Sequence, residues 1–309
     1  MAPKCNLIID SCCDLPFEMV DHDGIELIEF PYIMDDSEYK DDLYRSITAN
    51  EFFQKMRQDI QPSTAQMPVP QLRDAFMRAT EKGVPAVYIC FASALSGSYD
   101  TAQLLLSQIK EDRPETEIYI VDSQLASIAE GLLVYEAIRQ REKGLTASEL
   151  AEWASEALYY VNCEFMVDDL EALRRGGRIP ASVAYAGSKL DVKPLLSVDL
   201  EGKLTLVGVA RGRKKGIKHM TELYEKRAVS KGFGQCVMLA HADCPKDIER
   251  LKEELLKIDK NILFLESYIG PVIGSHVGPD MIAIAFWGPD RRENLSVADM
   301  IARKVKGEH

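Results

Sequence analysis

Residues 84–102 read VPAVYICFASALSGSYDTA, and they join an apolar run to a segment of small and hydroxylated residues. The apolar run 84–91 has the composition of a strand that is buried on both faces of a sheet. The segment ASALSGS that follows supplies serine hydroxyls and Gly97 immediately before a stretch with helical spacing. In parallel α/β sheets ligands bind where strands end, because helix N-termini present free N–H groups there. The stretch therefore predicts an α/β fold and a site for an anion such as a carboxylate.

The alternation of strands and helices extends through the first half of the chain. CNLIID and EIYIVDS indicate further buried parallel strands, whereas TANEFFQKM, PVPQLRDAFMRATEKG and GLLVYEAIRQREKG have helical spacing. Thr48 with Glu51, and Thr146 with Glu149, match the capping box, in which each side chain bonds the backbone N–H of the other residue. Both pairs are expected to mark helix starts. The pattern is that of a βαβα unit.

The second half of the chain has a different pattern of predicted strands and helices, which indicates a second domain. A new strand begins with CEFMVDDL, so we place the boundary near Asn162, with an N-terminal parallel α/β domain over 1–162 and a C-terminal mixed α/β domain over 163–309. KPLLSVDLEGKLTLVGVAR predicts an antiparallel hairpin around Glu201 and Gly202. The strands QCVMLAHA, NILFLES and DMIAIAFWG alternate with charged helices beyond it. A mixed sheet is expected.

Composition excludes several classes of function. The chain contains 37 Lys and Arg residues and 49 Asp and Glu residues. The resulting net charge of −12 opposes binding to nucleic acid or to anionic membranes. Seven cysteines, with no C-x-x-C, indicate neither a disulfide framework nor a metal site, which favours the cytoplasm. No stretch approaches the ~18 apolar residues of a transmembrane helix. Nucleotide, zinc-protease and nucleophile-elbow motifs are also absent from the sequence.

Polar residues occupy four predicted strand ends or helix starts. They are Asp10 with Ser11, the segment PSTAQMP, the segment ASALSGS, and Asp122 with Ser123. Any one of them alone reads as a helix cap, but four at one edge of a sheet favour a binding site. Ser93 and Ser96 can donate hydroxyl hydrogens to a carboxylate, and Gly97 lets the backbone approach it closely. Thr64 adds a hydroxyl too far upstream to cap the next helix.

His276 is the histidine with the most suggestive surroundings. It stands in VIGSHVGPD, which we interpret as a loop between glycines that is bordered by apolar strands. An imidazole there could hydrogen-bond an acid group or act as a base. The other interpretation is a structural histidine whose hydrogen bonds are made within the protein.

LEALRRGGRIP carries three arginines, Arg174, Arg175 and Arg178, beside paired glycines. The glycines could direct a guanidinium toward an anion or a partner's carboxylate. The alternative is an ordinary helix end, with basic residues in the last turn and a glycine cap. We take the three arginines as candidates for binding a protein partner.

Seven segments together resemble the DegV family of fatty-acid-binding proteins. They are IIDSCCDLP, PSTAQMP, SALSGSYDTA, VDSQLASIAEG, LEALRRGGRI, KPLLSVDLEGKL and HVGPDMIAIAF. The resemblance implies two α/β domains that enclose an acyl chain between them. It also implies a carboxylate held by a Thr, a Ser and a His, which here are Thr64, Ser93 or Ser96, and His276. Some members of the family are acyl-carrier subunits of bacterial fatty acid kinase, and they present the carboxylate to a separate ATP-binding subunit.

The expected ligand is a long-chain fatty acid such as palmitate, stearate or oleate, with no other cofactor. Burial of 16 to 18 methylenes, at ~0.8 kcal/mol each, outweighs one carboxylate contact, so apolar lining supplies affinity and the polar residues compensate the head group. Two segments depart from the family pattern. TAQMP replaces the usual TSQPS, and Ala94 stands where glycine is common. The shape of the wall, and hence the acyl specificity, is left open.

Two enzymatic alternatives compete with a lipid-binding protein. A serine hydrolase would use Ser96 as the nucleophile and His276 as the base, but the sequence offers no third residue to orient the histidine. A subunit similar to dihydroxyacetone kinases would hold its substrate covalently on His276. Apolar residues in these loops suit an acyl chain better than a triose.

Overall fold

The computed structural model of the chain describes residues 3–180, 182, 192–229 and 236–294. The strands are β1 (Asn6–Asp10), β2 (Ile25–Ile28), β3 (Pro31–Met34), β4 (Ser37–Lys40), β5 (Ser63–Thr64), β6 (Ala86–Cys90), β7 (Ile118–Asp122), β8 (Val161–Met166), β9 (Val192–Val198), β10 (Leu204–Arg211), β11 (Cys236–His241), β12 (Leu263–Tyr268) and β13 (Ile282–Trp287). The helices are α1 (Ala49–Arg57), α2 (Val69–Ala79), α3 (Ser98–Asp112), α4 (Ile128–Glu142), α5 (Ala147–Ala157), α6 (Glu171–Arg175), α7 (Arg213–Arg227), α8 (Pro245–Ile258) and α9 (Pro271–Val277).

A four-stranded parallel sheet forms the first half, with strand order β2–β1–β6–β7. The α/β fold predicted from residues 84–102 is confirmed, since β6 is buried along its whole length and α3 begins at Ser98. Both predicted capping boxes are present. The Thr48 hydroxyl accepts the Glu51 N–H at 3.1 Å, and the Thr146 hydroxyl accepts the Glu149 N–H at 3.3 Å.

The second half contains the expected mixed sheet, with strand order β10–β9–β8–β13–β11–β12. β11 and β12 pair in parallel, and the other neighbouring pairs are antiparallel. The predicted hairpin joins β9 to β10, and Gly202 in its turn has φ +78°, a conformation that favours glycine. The boundary expected near Asn162 falls inside β8, and the division into two domains stays a prediction.

A small antiparallel sheet, with order β4–β3–β5, was not expected from the sequence. Strand β5 has only two residues, and β4 reads SEYK with every residue exposed, so neither carries a pattern of hydrophobic periodicity. In the register of β5, Thr64 pairs with Tyr32, a fully buried residue of β3. This pairing fixes the position of Thr64.

The mixed sheet has two differently packed faces. One face joins a continuous hydrophobic core with the parallel sheet, and Phe165, Leu196 and Ala283 belong to that core. The other face packs against α7 and α8 through a separate core that includes Leu195, Leu251 and Ile284. None of the described helices has both the length and the apolar character needed to cross a membrane.

Candidate functional site

A cavity of about 290 Å³ lies between the parallel sheet and the mixed sheet. Its apolar wall comes from both halves of the chain and includes Phe30, Phe91, Leu95, Phe165, Val198 and Leu204. Polar groups from Thr64, Gln66, Ser96, Arg178 and His276 also reach the wall. An apolar cavity with few polar groups is the usual form of a site for a largely apolar small molecule.

Thr64 and His276 meet at the cavity, although they lie 212 residues apart in sequence. Thr64 Oγ1 is 2.9 Å from His276 Nε2, and which atom donates depends on the tautomer of the imidazole. Burial, and secondarily the positive charges of Arg178 and Arg175, lower the pKa of His276 from 6.5 to about 4. The imidazole is therefore neutral near pH 7. It can offer one N–H hydrogen to an anion without carrying a charge.

His276 stands in the last turn of α9, so its expected placement in a loop is wrong. Pro271 occupies the first turn, where its missing N–H is tolerated, but a helix of seven residues with an internal glycine has almost no periodic signal. The end of α6 packs against the imidazole. A Cβ at Gly176 would lie 2.2 Å from His276 Nδ1, so glycine is needed there for this close approach.

Ser96 and Gly97 lie at the cavity wall, directly before α3. Ser96 Oγ is 2.9 Å from Ser98 Oγ and accepts the Ser98 N–H at 3.3 Å. Gln66 Nε2 donates to Thr101 Oγ1 at 2.6 Å, which ties the segment after β5 to the first turns of α3. The serine hydroxyl and the start of α3 thus supply hydrogen-bond donors at the wall.

Ser93 does not reach the cavity wall. Its hydroxyl donates to Asp122 Oδ2 at 2.6 Å, and its N–H donates to Asp122 Oδ1 at 3.0 Å. The two residues tie the end of β6 to the end of β7. Of the two serines expected near a ligand, the structure brings only Ser96 to the cavity.

Arg178 lines the cavity, whereas the sequence suggested a surface position for it. Its Nε donates to the Leu95 carbonyl at 3.2 Å, and Nη1 donates to the Gly176 carbonyl at 2.5 Å. Burial lowers its pKa, and no carboxylate among the described residues forms an ion pair with it. The local sequence correctly indicates a helix end, but the packing of α6 against α9 decides where Arg178 points.

Arg174 and Arg175 differ from Arg178 because both are exposed. Arg174 forms an ion pair with Glu171 on the same helix at 2.6 Å. Arg175 lies close enough to His276 to lower the pKa of the imidazole. Arg175 is therefore exposed near the polar part of the cavity wall.

Ser127 lines the cavity and was not singled out from the sequence. SIAE, residues 127–130, matches a capping box, but the Ser127 side chain does not cap α4. Its hydroxyl donates to Asp14 Oδ2 at 2.5 Å instead. The backbone has φ +54° and ψ −142°, which is unusual for a residue other than glycine. A serine in a cap-like motif gives no sequence signal for this role.

The geometry does not form a hydrolytic triad. The Ser96 hydroxyl contacts Ser98, while His276 Nε2 contacts Thr64. His276 Nδ1 is buried without a hydrogen-bond partner among the described residues, so no acid orients the ring. The described part of the chain also contains no group of three side chains arranged to hold a metal ion.

Comparison with known proteins gives a consistent family. The sequence family described as "Uncharacterised protein, DegV family" matches residues 4–288. A DegV domain-containing protein of Clostridium perfringens is 36% identical over 282 residues, which cover 91% of this chain and 97% of that protein. A DegV domain-containing protein of Streptococcus pyogenes serotype M3 is 32% identical over 286 residues, which cover 93% of this chain and 99% of that protein.

Two solved structures are similar over nearly the whole chain. DegV of Bacillus subtilis, described as a fatty-acid-binding protein, aligns with a TM-score of 0.80 and 26% identity, and the match covers 93% of this chain and 100% of that one. A DegV family protein of Thermus thermophilus, described for its fatty acid binding, aligns with a TM-score of 0.81 and 25% identity. That match covers 92% of this chain and 99% of the other.

Proposed function

The chain belongs to the DegV family, and we propose that it binds a long-chain fatty acid in the cavity between its two sheets. The observation that carries this proposal is the pairing of an apolar cavity with clustered groups that suit one carboxylate. The fatty acid binding described for the Thermus thermophilus and Bacillus subtilis relatives supports the same ligand class. The protein would act as a lipid carrier and not as an enzyme by itself.

The carboxylate is held by Thr64, Ser96, Gly97, His276 and Arg178 in this proposal. The arrangement is supported by the 2.9 Å contact between Thr64 and His276 and by the position of Ser96 and Gly97 at the start of α3. Arg178 supplies a positive charge that no described carboxylate neutralises. Ser93 is left out of the proposed site because its hydroxyl is engaged by Asp122.

The acyl chain occupies the apolar part of the cavity. Palmitate, stearate and oleate are the ligands we propose, because each buried methylene contributes ~0.8 kcal/mol and 16 to 18 of them give most of the affinity. The polar groups compensate the carboxylate for the water that it loses. Binding is thus dominated by the chain, and specificity for an acid comes from the head-group contacts.

Protein purified from a bacterial host is expected to contain a long-chain fatty acid without any having been added. The cavity would otherwise expose a large apolar wall to water. Extraction of the denatured protein followed by mass spectrometry measures this directly. A sample that releases no fatty acid, and that after delipidation binds neither palmitate nor oleate, would exclude the proposed function.

The loaded protein is further proposed to present its carboxylate to an ATP-binding fatty acid kinase subunit in the cytoplasm. The kinase would form an acyl-phosphate that phospholipid synthesis can use. A partner surface must lie near the head group for this transfer, and the exposed Arg175, close to His276, fits that requirement. Arg174 lies on the same helix and extends the basic surface.

Arg175→Ala is expected to leave fatty acid affinity within about twofold, since the side chain is exposed and does not line the cavity. Acyl-phosphate formation with ATP and the kinase subunit of the same bacterium should fall at least tenfold, because arginines at interfaces contribute ~2 kcal/mol or more. Lys110→Ala, an exposed position on α3, is the control. Unchanged acyl-phosphate formation by the Arg175→Ala variant would remove Arg175 from the proposed interface.

No observation favours the enzymatic alternatives. For a hydrolase, Ser96 and His276 contact other side chains and not each other. Labelling of Ser96 by a fluorophosphonate probe would support the hydrolase alternative. For a subunit similar to dihydroxyacetone kinases, the apolar wall of the cavity is a poor environment for a triose.

A further inference from the structure

Asp14 is a buried carboxyl group that joins distant segments of the fold. It is 1% exposed, and it adopts φ +51° at the end of a short helical turn after β1. Its Oδ1 accepts the Gly270 N–H at 3.0 Å, and its Oδ2 accepts the Ser127 hydroxyl at 2.5 Å. The hydroxyl of Ser267 donates to the Asp14 backbone carbonyl. One residue of the first half therefore contacts the start of α4 and the segment leading into α9.

Ser127 needs such a partner because its backbone is strained. A residue other than glycine at φ +54° and ψ −142° costs of the order of 1–3 kcal/mol, and it persists only where surrounding contacts determine it. The bond to Asp14 is one of those contacts. Since Ser127 lines the cavity, its conformation helps to set the shape of the wall.

Helix α9 also depends on contacts from the other half of the chain. Seven residues are too few for a stable isolated helix. At its start, Gly270 donates to Asp14 and the Val272 N–H donates to Asp41 Oδ2 at 3.3 Å. Farther along, a Cβ at Gly274 would lie 2.9–3.0 Å from the rings of Phe52 and Phe53. The helix is fixed between carboxyl groups and aromatic rings.

We propose that Asp14 is a positioning residue for the head-group site, because it holds both Ser127 and the start of the helix that carries His276. His276 lies six residues beyond Gly270, and its contact with Thr64 requires a fixed position of α9. This inference rests on the proposed function, since it assigns Asp14 a role in placing a group that contacts the fatty acid carboxylate. Asp14 itself does not line the ligand cavity.

The chemistry of Asp14 indicates which substitutions keep its hydrogen bonds and which remove them. Burial, and next the nearby Asp41 carboxyl, raise the pKa of Asp14 well above its usual value, which favours the uncharged carboxyl group. An asparagine is neutral and similar in shape. It can accept the Gly270 N–H through Oδ1 and donate to Ser127 Oγ through Nδ2. Alanine can do neither.

The test compares Asp14→Ala with Asp14→Asn in delipidated protein. Alanine is expected to weaken oleate binding about tenfold and to change the ¹⁵N resonances of His276, because the contact with Thr64 is lost. Asparagine should restore both measurements to within about twofold of the original. Leu251→Ala, in the core on the far face of the mixed sheet, is a control that lowers stability without affecting either measurement.

Gly270→Ala provides a second perturbation in case Asp14→Ala does not fold. A Cβ at Gly270 would lie 2.6 Å from Asp14 Oδ1 and 2.9 Å from Asp41 Oδ2, so it displaces α9 from the same carboxyl groups. It should weaken oleate binding and alter the His276 resonances in the same direction. Folded variants with unchanged affinity and unchanged His276 resonances would overturn the proposal. If the original protein itself binds no fatty acid, the proposed function fails, while the His276 resonances still decide whether Asp14 positions the imidazole.

Discussion

Arg178→Ala is expected to weaken the binding of palmitate or oleate by roughly 30-fold, which corresponds to about 2 kcal/mol. The guanidinium lines the cavity, and among the described side chains no carboxylate pairs with it. A bound fatty acid would supply the missing negative charge in an environment with little water, where a charge-assisted hydrogen bond is strong. Isothermal titration of delipidated protein measures the loss.

The neighbouring Arg174 offers a matched control for this experiment. It lies in the same helix end, but it is exposed and forms its ion pair with Glu171, so Arg174→Ala should bind fatty acid normally. The stabilisation that oleate gives in thermal unfolding should shrink for Arg178→Ala and persist for Arg174→Ala. Equal affinities for the two variants would mean that the carboxylate lies away from Arg178, and the proposed head-group site would then have to be revised.

The position of Arg178 illustrates what a single sequence can and cannot predict. LEALRRGGRIP indicates a helix end with a glycine cap, and α6 does end at Arg175 before two glycines. Which arginine faces a cavity depends on how α6 packs against α9, about 100 residues later in the chain. Local patterns carry no information on that contact. Local patterns likewise nominate Thr64 and His276 only singly, and only the resemblance to the DegV family placed both residues at one carboxylate.

The serines after β6 show a similar limit at shorter range. Ser93 and Ser96 are equivalent as hydroxyl donors in the sequence, and both stand between a buried strand and a helix. Ser93 comes directly beside the end of β7, where Asp122 accepts its hydroxyl, and three residues later Ser96 reaches the cavity. The parallel sheet and the hairpin were predictable because periodicity and turn residues are local signals. The choice between the serines depends on the neighbouring strand.

Delipidated protein is expected to be less stable at pH 8 than at pH 5, the reverse of the usual effect of paired carboxylates. Burial raises the pKa of Asp10 from 3.8 to about 6, of Asp41 from 3.8 to about 7 and of Glu164 from 4.5 to about 7. Between the unfolded and folded pKa values the native state binds more protons than the unfolded state. The free energy of unfolding therefore falls as the pH rises through that interval. For Asp41 alone the loss between pH 5 and pH 8 is roughly 3 kcal/mol.

His276 opposes this trend over part of the range. Its pKa falls from 6.5 to about 4 in the folded protein, so below pH 6.5 the unfolded chain binds a proton that the native state does not, and the stability contributed by His276 decreases as the pH falls. The effect of one imidazole on the pH dependence of stability is opposed by the effects of three carboxyl groups. The net free energy of unfolding should therefore still decrease from pH 5 toward pH 7.

Asp41→Asn separates the carboxyl contribution from every other effect of pH. Leu43 and Val272 donate their N–H groups to different oxygens of Asp41, so the single amide oxygen can still accept one of them, while the buried charge is removed. Urea unfolding at several pH values should show the variant about 1 kcal/mol less stable than the original protein at pH 5, because one buried N–H loses its acceptor, and more stable at pH 8, with equal dependence on denaturant. A variant that is less stable at pH 8 would mean that the ionised Asp41 stabilises the native fold, and that its two N–H bonds outweigh the cost of burying its charge.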